Sequence, residues 1–130
     1  MIMITLATLD QATEQQVFEQ VARHLLTQKE KSGDVGCYYR FEKEDGRNLS
    51  CAAGCLISDE EMKRVIDNNA NNSAWPSLIS QGIAPGNNMR FIVKLQSIHD
   101  TESVKNWRNK LKDLGLEYNL DISFIDSIPE

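Results

Sequence analysis

Three cysteines and a histidine are the residues of this chain best suited to binding a metal. Cys51 and Cys55 are four positions apart, so one helical turn would place both thiols on the same face. Cys37 and His99 would complete a set of three thiolates and one imidazole, a ligand combination found in structural zinc sites. Zinc knuckles, however, have two residues between paired cysteines. The spacing therefore favours buried cysteines that pack as small apolar side chains.

The same residues permit a second chemistry, nucleophilic catalysis. Cys51 is predicted at a loop-to-helix junction, where partial positive charge lowers the pKa of a thiol. His99 and Asp100 follow it in the order nucleophile, base and orienting acid that several cysteine hydrolases use. Neighbouring helix residues point about 100° apart, which predicts that Asp100 is poorly placed to orient His99. A hydrolase is therefore the weaker alternative.

Arg40 lies between Tyr39 and Phe41 and is the candidate for binding an anion. An arginine flanked by aromatic residues can stack on a ring and bind a carboxylate or phosphate through two parallel hydrogen bonds. An ion pair across an exposed hairpin is an equally compatible interpretation.

Five helices are predicted to position these residues. The longest extends from Asp10 to about Lys31, because Val17, Val21 and Leu25 recur every four positions on one face. A Ser-x-x-Glu capping box at residues 58–61 begins the second. The helices that follow are predicted at residues 59–68, 74–81, 89–99 and 101–115, the last beginning after a corner at His99 and Asp100.

Two extended regions complete the predicted fold. Asp45-Gly46 between two apolar runs is the signature of a β-hairpin. Residues 118–125 alternate between apolar and polar side chains, which predicts a terminal strand and allows a dimer through its exposed edge. The expected fold is therefore α+β and mainly helical, with about five helices in a single domain over residues 1–130.

Composition narrows the classes of function. The chain has 130 residues, of which 41% are hydrophobic and 25% charged, as in ordinary globular domains. Its net charge of −5 disfavours nucleic acid as a partner. Neither a signal peptide nor a membrane span is predicted, and an odd number of cysteines argues against a disulfide framework. We expect a cytoplasmic protein that does not interact with membranes.

Three segments together carry a family resemblance: Cys37-x-Tyr39-Arg40, Cys51-Ala-Ala-Gly-Cys55-Leu-Ile and Leu95-Gln-x-Ile-His99-Asp100. With Trp107, they make residues 15–115 resemble a family of small bacteriophage and prophage proteins. The family has no established activity, so the resemblance implies a setting, the bacterial host cytoplasm, and no mechanism.

The preferred hypothesis is a non-enzymatic accessory protein of phage type without a cofactor. It would bind and inhibit a host or defence protein, or sequester a small anionic molecule. The predicted contact residues are Tyr39, Arg40, Cys51, Cys55, His99 and Asp100. The alternative is a small structural zinc protein using Cys37, Cys51, Cys55 and His99, and the weaker alternative is a hydrolase with Cys51 as nucleophile.

Overall fold

The computed structural model describes residues 3–33 and 38–130, and these form a mainly helical α+β fold, as predicted. Five α-helices and a two-stranded antiparallel sheet are present in the described ranges. In chain order they are α1 (Glu14–Gln28), β1 (Phe41–Glu42), β2 (Asn48–Leu49), α2 (Asp59–Asp67), α3 (Trp75–Ser80), α4 (Met89–Thr101) and α5 (Trp107–Glu117). Short 3-10 helices lie at Leu9–Gln11, Ala53–Leu56, Val104–Asn106 and Ser123–Ser127.

Helix α1 is shorter than predicted because local capping fixes both of its ends. Thr13 caps the first turn by accepting from the Gln16 amide, while the Gln16 side chain accepts from the Thr13 amide. Lys29 adopts the left-handed conformation, with φ of 56°, and ends the helix. The predicted apolar face, which includes Val17, Val21 and Leu25, is fully buried.

The predicted hairpin is confirmed, with Phe41 opposite Leu49 and Gly46 at a φ of 89° in the turn. Each strand has only two residues, so the hairpin depends on outside contacts. Asn71 supplies them, since its side chain both accepts from the Arg40 amide and donates to the Arg40 carbonyl. The loop at residues 68–73, which contains four asparagines, thus continues the hydrogen bonding of the hairpin.

The predicted terminal strand is wrong. Residues 123–127 form a 3-10 helix, and α5 continues through Gly115 to Glu117. Ile122, Ile125 and Ile128 recur every third residue, which is the period of a 3-10 helix, and the buried Ile125 packs in the core. A dimer formed through a terminal strand therefore loses its structural basis.

Gly115 remains inside α5 because of how closely α5 packs on α1. A Cβ atom at this position would overlap the Ile122 side chain and lie 2.8 Å from Cζ of Phe18 on α1, which is closer than non-bonded carbon atoms approach. The sequence suggested a helix end at Gly115, whereas in the structure the glycine allows close contact with Phe18 of α1 and with Ile122.

The predicted corner at His99 and Asp100 is also wrong, because α4 continues to Thr101. Asp100 therefore lies inside a helix and does not cap α5, which is preceded by the 3-10 helix at Val104–Asn106. Among the described residues, no helix combines the length and apolar character that crossing a membrane requires.

Candidate functional site

Residues 51–57, the cysteine segment, lie between the hairpin and α2. They contain the 3-10 turn Ala53–Leu56, most of which is buried. The Cys51 sulfur accepts a hydrogen bond from the Gly54 amide at 3.3 Å, and the Cys55 thiol donates to the Ala52 carbonyl at 3.2 Å. Burial raises the pKa of Cys55 to about 12. Reactive thiols have lowered pKa values, so this environment is typical of a structural cysteine.

Gly54 allows this turn to contact the start of the hairpin. A Cβ atom at Gly54 would overlap the Tyr39 carbonyl oxygen and lie 3.0 Å from the Tyr39 Cα. Tyr39 is itself buried, and its hydroxyl donates to the Ser73 carbonyl at 2.6 Å. Its ring meets Trp75 edge to face. Tyr39 thus contributes packing and one buried hydrogen bond.

Arg40 connects the hairpin to both ends of the cysteine segment. Its Nη1 donates to the Gly54 carbonyl at 2.8 Å and to the Ser50 hydroxyl at 3.0 Å. Its Nη2 donates to the Ile57 carbonyl at 2.6 Å and to the Asp59 carboxylate at 3.1 Å. The side chain is only 22% exposed. Neither an aromatic stack nor an exposed cross-strand pair describes this arrangement.

His99 is 1% exposed, and both of its ring nitrogens make hydrogen bonds. The Ser32 amide can only donate, so Nε2, at 3.0 Å, must be the unprotonated acceptor. Nδ1 then carries the proton and donates to Asp100 Oδ1 at 2.8 Å. The ring also stacks on Trp107, with centroids 5.5 Å apart.

The expectation that Asp100 is poorly placed to orient His99 is therefore wrong. The 100° angle separates the Cα–Cβ directions of neighbouring helix residues, and rotation about the side-chain torsions brings the ring edge and the carboxylate together. His99 and Asp100 nevertheless have a structural role, because the other ring nitrogen, Nε2, accepts a hydrogen bond from the Ser32 backbone amide.

Two further residues, Gln96 and Ser32, join these segments through hydrogen bonds. The sequence did not predict them as part of the site. The Gln96 side chain accepts from the Ala53 amide at 2.9 Å and donates to Asp100 at 2.8 Å. The Ser32 hydroxyl donates to the Tyr38 carbonyl at 2.7 Å. The three motif segments are thus brought together, mostly in the interior. In the sequence, the position of Gln96 one helical turn before Asp100 was the only indication of their hydrogen bond.

The described residues provide no geometric support for the zinc hypothesis. Within residues 3–33 and 38–130, no three His, Cys, Asp or Glu side chains are arranged to hold a metal ion. Cys37, the fourth predicted ligand, lies outside the described residues. The zinc site remains a prediction from the sequence.

His24 is half-buried on α1. Its Nε2 lies 2.8 Å from the Ser50 carbonyl, so that nitrogen carries the proton. Burial lowers the pKa of His24, while the hydrogen bond to Ser50 partly opposes this effect.

A groove runs beside His24, between α1 and the segment before it. Two adjoining cavities of about 520 and about 380 Å3 share Met3 and Gln20 in their walls. The remaining lining includes Ile4, Thr8, Gln11, Ala12, Gln16, Glu19, Arg23, His24, Thr27 and Gln28. We refer to these two cavities together as the α1 groove. Its volume is in the range of ligand-binding pockets.

Comparison with known proteins identifies no relative: no family model, curated protein or solved structure matches this chain. The resemblance to phage and prophage proteins therefore remains a prediction, and the function has to be argued from the geometry.

Proposed function

We propose that this chain is a non-enzymatic binding protein that captures an extended segment of a partner protein in the α1 groove. The observation that carries the proposal is the groove itself, an open channel built on a rigid helix. Its walls combine apolar side chains, neutral hydrogen-bonding groups and one paired acid and base, a lining that suits a polypeptide.

The length of the groove supports a peptide as its occupant. Its α1 wall extends from Gln16 to Gln28, or about 18 Å at 1.5 Å per residue. An extended peptide advances about 3.3 Å per residue, so five or so residues would occupy this length.

The chemistry of the walls favours a neutral, partly apolar segment. Gln11 and Thr27 are exposed at opposite ends, and neither side chain bonds to any other described residue. Met3 is 60% exposed at the rim, and its flexible apolar side chain suits a variable contact. Glu19 and Arg23 lie 3.7 Å apart and offset each other's charge.

Hydrogen bonds prearrange the groove. The Gln20 side chain pairs with both the amide and the carbonyl of Ile4, at 2.7 and 2.9 Å, and also donates to the Cys55 carbonyl. The carboxylate of Glu61 accepts from the amides of Leu6 and Ala7, each at 2.9 Å. A wall fixed before binding reduces the entropy lost on association.

This arrangement gives the predicted motif residues a supporting role. The Cys55 carbonyl anchors Gln20 beneath the groove, and Arg40 holds the same turn in place. We propose the setting that the family resemblance implies, an accessory phage protein in the bacterial cytoplasm that binds a host or defence component.

The test is capture from bacterial lysate by matched variants. Gln11→Tyr and Thr27→Tyr place bulk at the two ends of the groove, and Asn109→Tyr adds the same bulk on the exposed surface of α5. We expect wild type and Asn109→Tyr to capture one common protein in stoichiometric amount, and each groove variant to lose at least tenfold. Far-UV circular dichroism and melting temperature should be unchanged in all three variants. Equal capture by the groove variants, or equal loss in Asn109→Tyr, would contradict the proposal.

A further inference from the structure

A third cavity lies where the end of α1 meets the start of α5, and it shares no lining residue with the α1 groove. Its volume is about 190 Å3. Its apolar part is lined by Leu25, Leu26, Val104 and Trp107, while Lys29, Lys105 and Arg108 contribute three positive charges. We infer that this basic cavity binds a small oxyanion, a phosphate or carboxylate, attached to a flat apolar group.

The positive charges of the cavity are incompletely neutralised. The ammonium groups of Lys29 and Lys105 make no ion pair or hydrogen bond with any other residue in the described part of the chain. Arg108 donates to the carbonyls of Ile125 and Ile128, at 2.6 and 2.7 Å, which fix the guanidinium without cancelling its charge. Such a concentration of positive charge in a chain of net charge −5 attracts anions locally.

The helix dipole adds to this attraction. Lys105 lies two residues before Trp107, the first residue of α5, and Arg108 directly follows it. The positive end of a helix dipole favours acidic side chains at such positions. Placing cations there is locally unfavourable, and an oxyanion in the cavity would interact favourably with both the side chains and the dipole.

Glu130 shows that a carboxylate fits at the cavity edge. Its Oε1 lies 3.7 Å from Nε of Arg108, and its side chain is 88% exposed. Among the residues that line the cavity it is the only acidic one. The Glu130 carboxylate therefore approximates the position of a ligand oxyanion and competes with it weakly.

The volume and the apolar lining of the cavity indicate which group carries the oxyanion. A volume of 190 Å3 exceeds the needs of a bare phosphate and leaves room for one ring beside Val104, the partly exposed apolar side chain of the lining. A phosphate monoester or carboxylate with an aromatic or similarly flat group fits this description.

The experiment is an NMR titration at low ionic strength, followed through the Trp107 indole N–H signal. The probes are phenyl phosphate, inorganic phosphate and benzoate, which separate the contributions of the oxyanion and the ring. We expect phenyl phosphate to saturate the wild type and to bind more tightly than inorganic phosphate, and added salt to weaken the interaction. Comparison with benzoate distinguishes a phosphate from a carboxylate ligand.

Matched charge variants complete the test. Lys29→Asn tolerates the left-handed backbone at that position, and with Lys105→Gln it should weaken phenyl phosphate binding about tenfold, with each single variant contributing about threefold. Lys110→Gln removes the same charge from an exposed position of α5 outside the cavity and should stay within twofold of wild type. Glu130→Gln should tighten binding by two- to fourfold. The inference is overturned if no probe saturates, if Lys110→Gln weakens binding as much as the double variant, or if inorganic phosphate binds as tightly as phenyl phosphate.

Discussion

Replacing Arg40 with alanine removes the guanidinium that joins the hairpin to the cysteine segment. Five side-chain hydrogen bonds disappear, including those to the carbonyls of Gly54 and Ile57. Both of these residues are buried, so water would reach the abandoned carbonyls poorly. Hydrogen bonds from charged donors contribute about 1.5–3 kcal/mol each, and partial access of water reduces the sum. We expect Arg40→Ala to lower the free energy of unfolding by roughly 3 kcal/mol.

The assay is urea unfolding followed by far-UV circular dichroism, with thermal melting as a second measure. A loss of this size in a chain of this length corresponds to a fall of about 10 °C in melting temperature. Arg40→Lys should recover part of the loss, because an ammonium group can replace some of the donors. Asp59→Asn should change stability little, since that side chain is 97% exposed.

The result that would refute this reasoning is an Arg40→Ala variant whose unfolding free energy stays within about 1 kcal/mol of the wild type. Such a variant would return Arg40 to the role of a ligand-binding residue, as the sequence first suggested. An equal loss in Asp59→Asn would show that the ion pair, and not the backbone contacts, provides the stability.

Three further predictions concern Gly54, Cys55 and His24. Gly54→Ala should destabilise the chain by at least about 3 kcal/mol through its clash with Tyr39, whereas Gly86→Ala, whose nearest Cβ contact would be 3.8 Å, should be tolerated in the same unfolding assay. Cys55 should react with iodoacetamide at pH 8 far more slowly than a free thiol, since a pKa of about 12 leaves little thiolate; peptide mass spectrometry measures this, and rapid labelling would contradict the assignment. The free energy of unfolding should fall as the pH decreases below 6.5, because the pKa of His24 is lowered in the folded chain and the unfolded chain therefore binds the proton more tightly. His24→Gln should flatten this dependence of the unfolding free energy on pH, and an unchanged dependence would argue against His24 as its origin.

Local signals in the sequence predicted the elements that local interactions create. The Ser58 and Glu61 capping box begins α2 at Asp59, and Asp45-Gly46 turns the hairpin. Each of these features depends on residues a few positions apart, so their spacing can be read directly from the chain.

The candidate site was only partly predictable because long-range contacts determine its chemistry. Ser32 and His99 are 67 positions apart, and no spacing indicated that the Ser32 amide would occupy a ring nitrogen. Likewise, the pairing of Gln96 with the Ala53 amide joins α4 to the cysteine segment. Residue type identified groups capable of chemistry, and only the fold showed that most of them are engaged in internal hydrogen bonds.

The apolar pattern at residues 118–125 also had more than one structural solution. Alternation suggested a strand, but Ile122, Ile125 and Ile128 also recur every third residue, and burial of Ile125 is consistent with the 3-10 helix. The lining of the α1 groove escaped detection for a related reason. Its polar side chains project from a helix whose exposed surface resembles any solvated helix surface in sequence.

The most direct test of the proposed function is site-specific photo-crosslinking in bacterial cells. A photoreactive phenylalanine analogue would replace Gln11 or Thr27 in the α1 groove, and Asn109 on α5 as the control. The groove hypothesis predicts that both groove positions form a covalent adduct with the same protein and that position 109 forms none. Adducts of equal yield from position 109, or no adduct from either groove position, would contradict it.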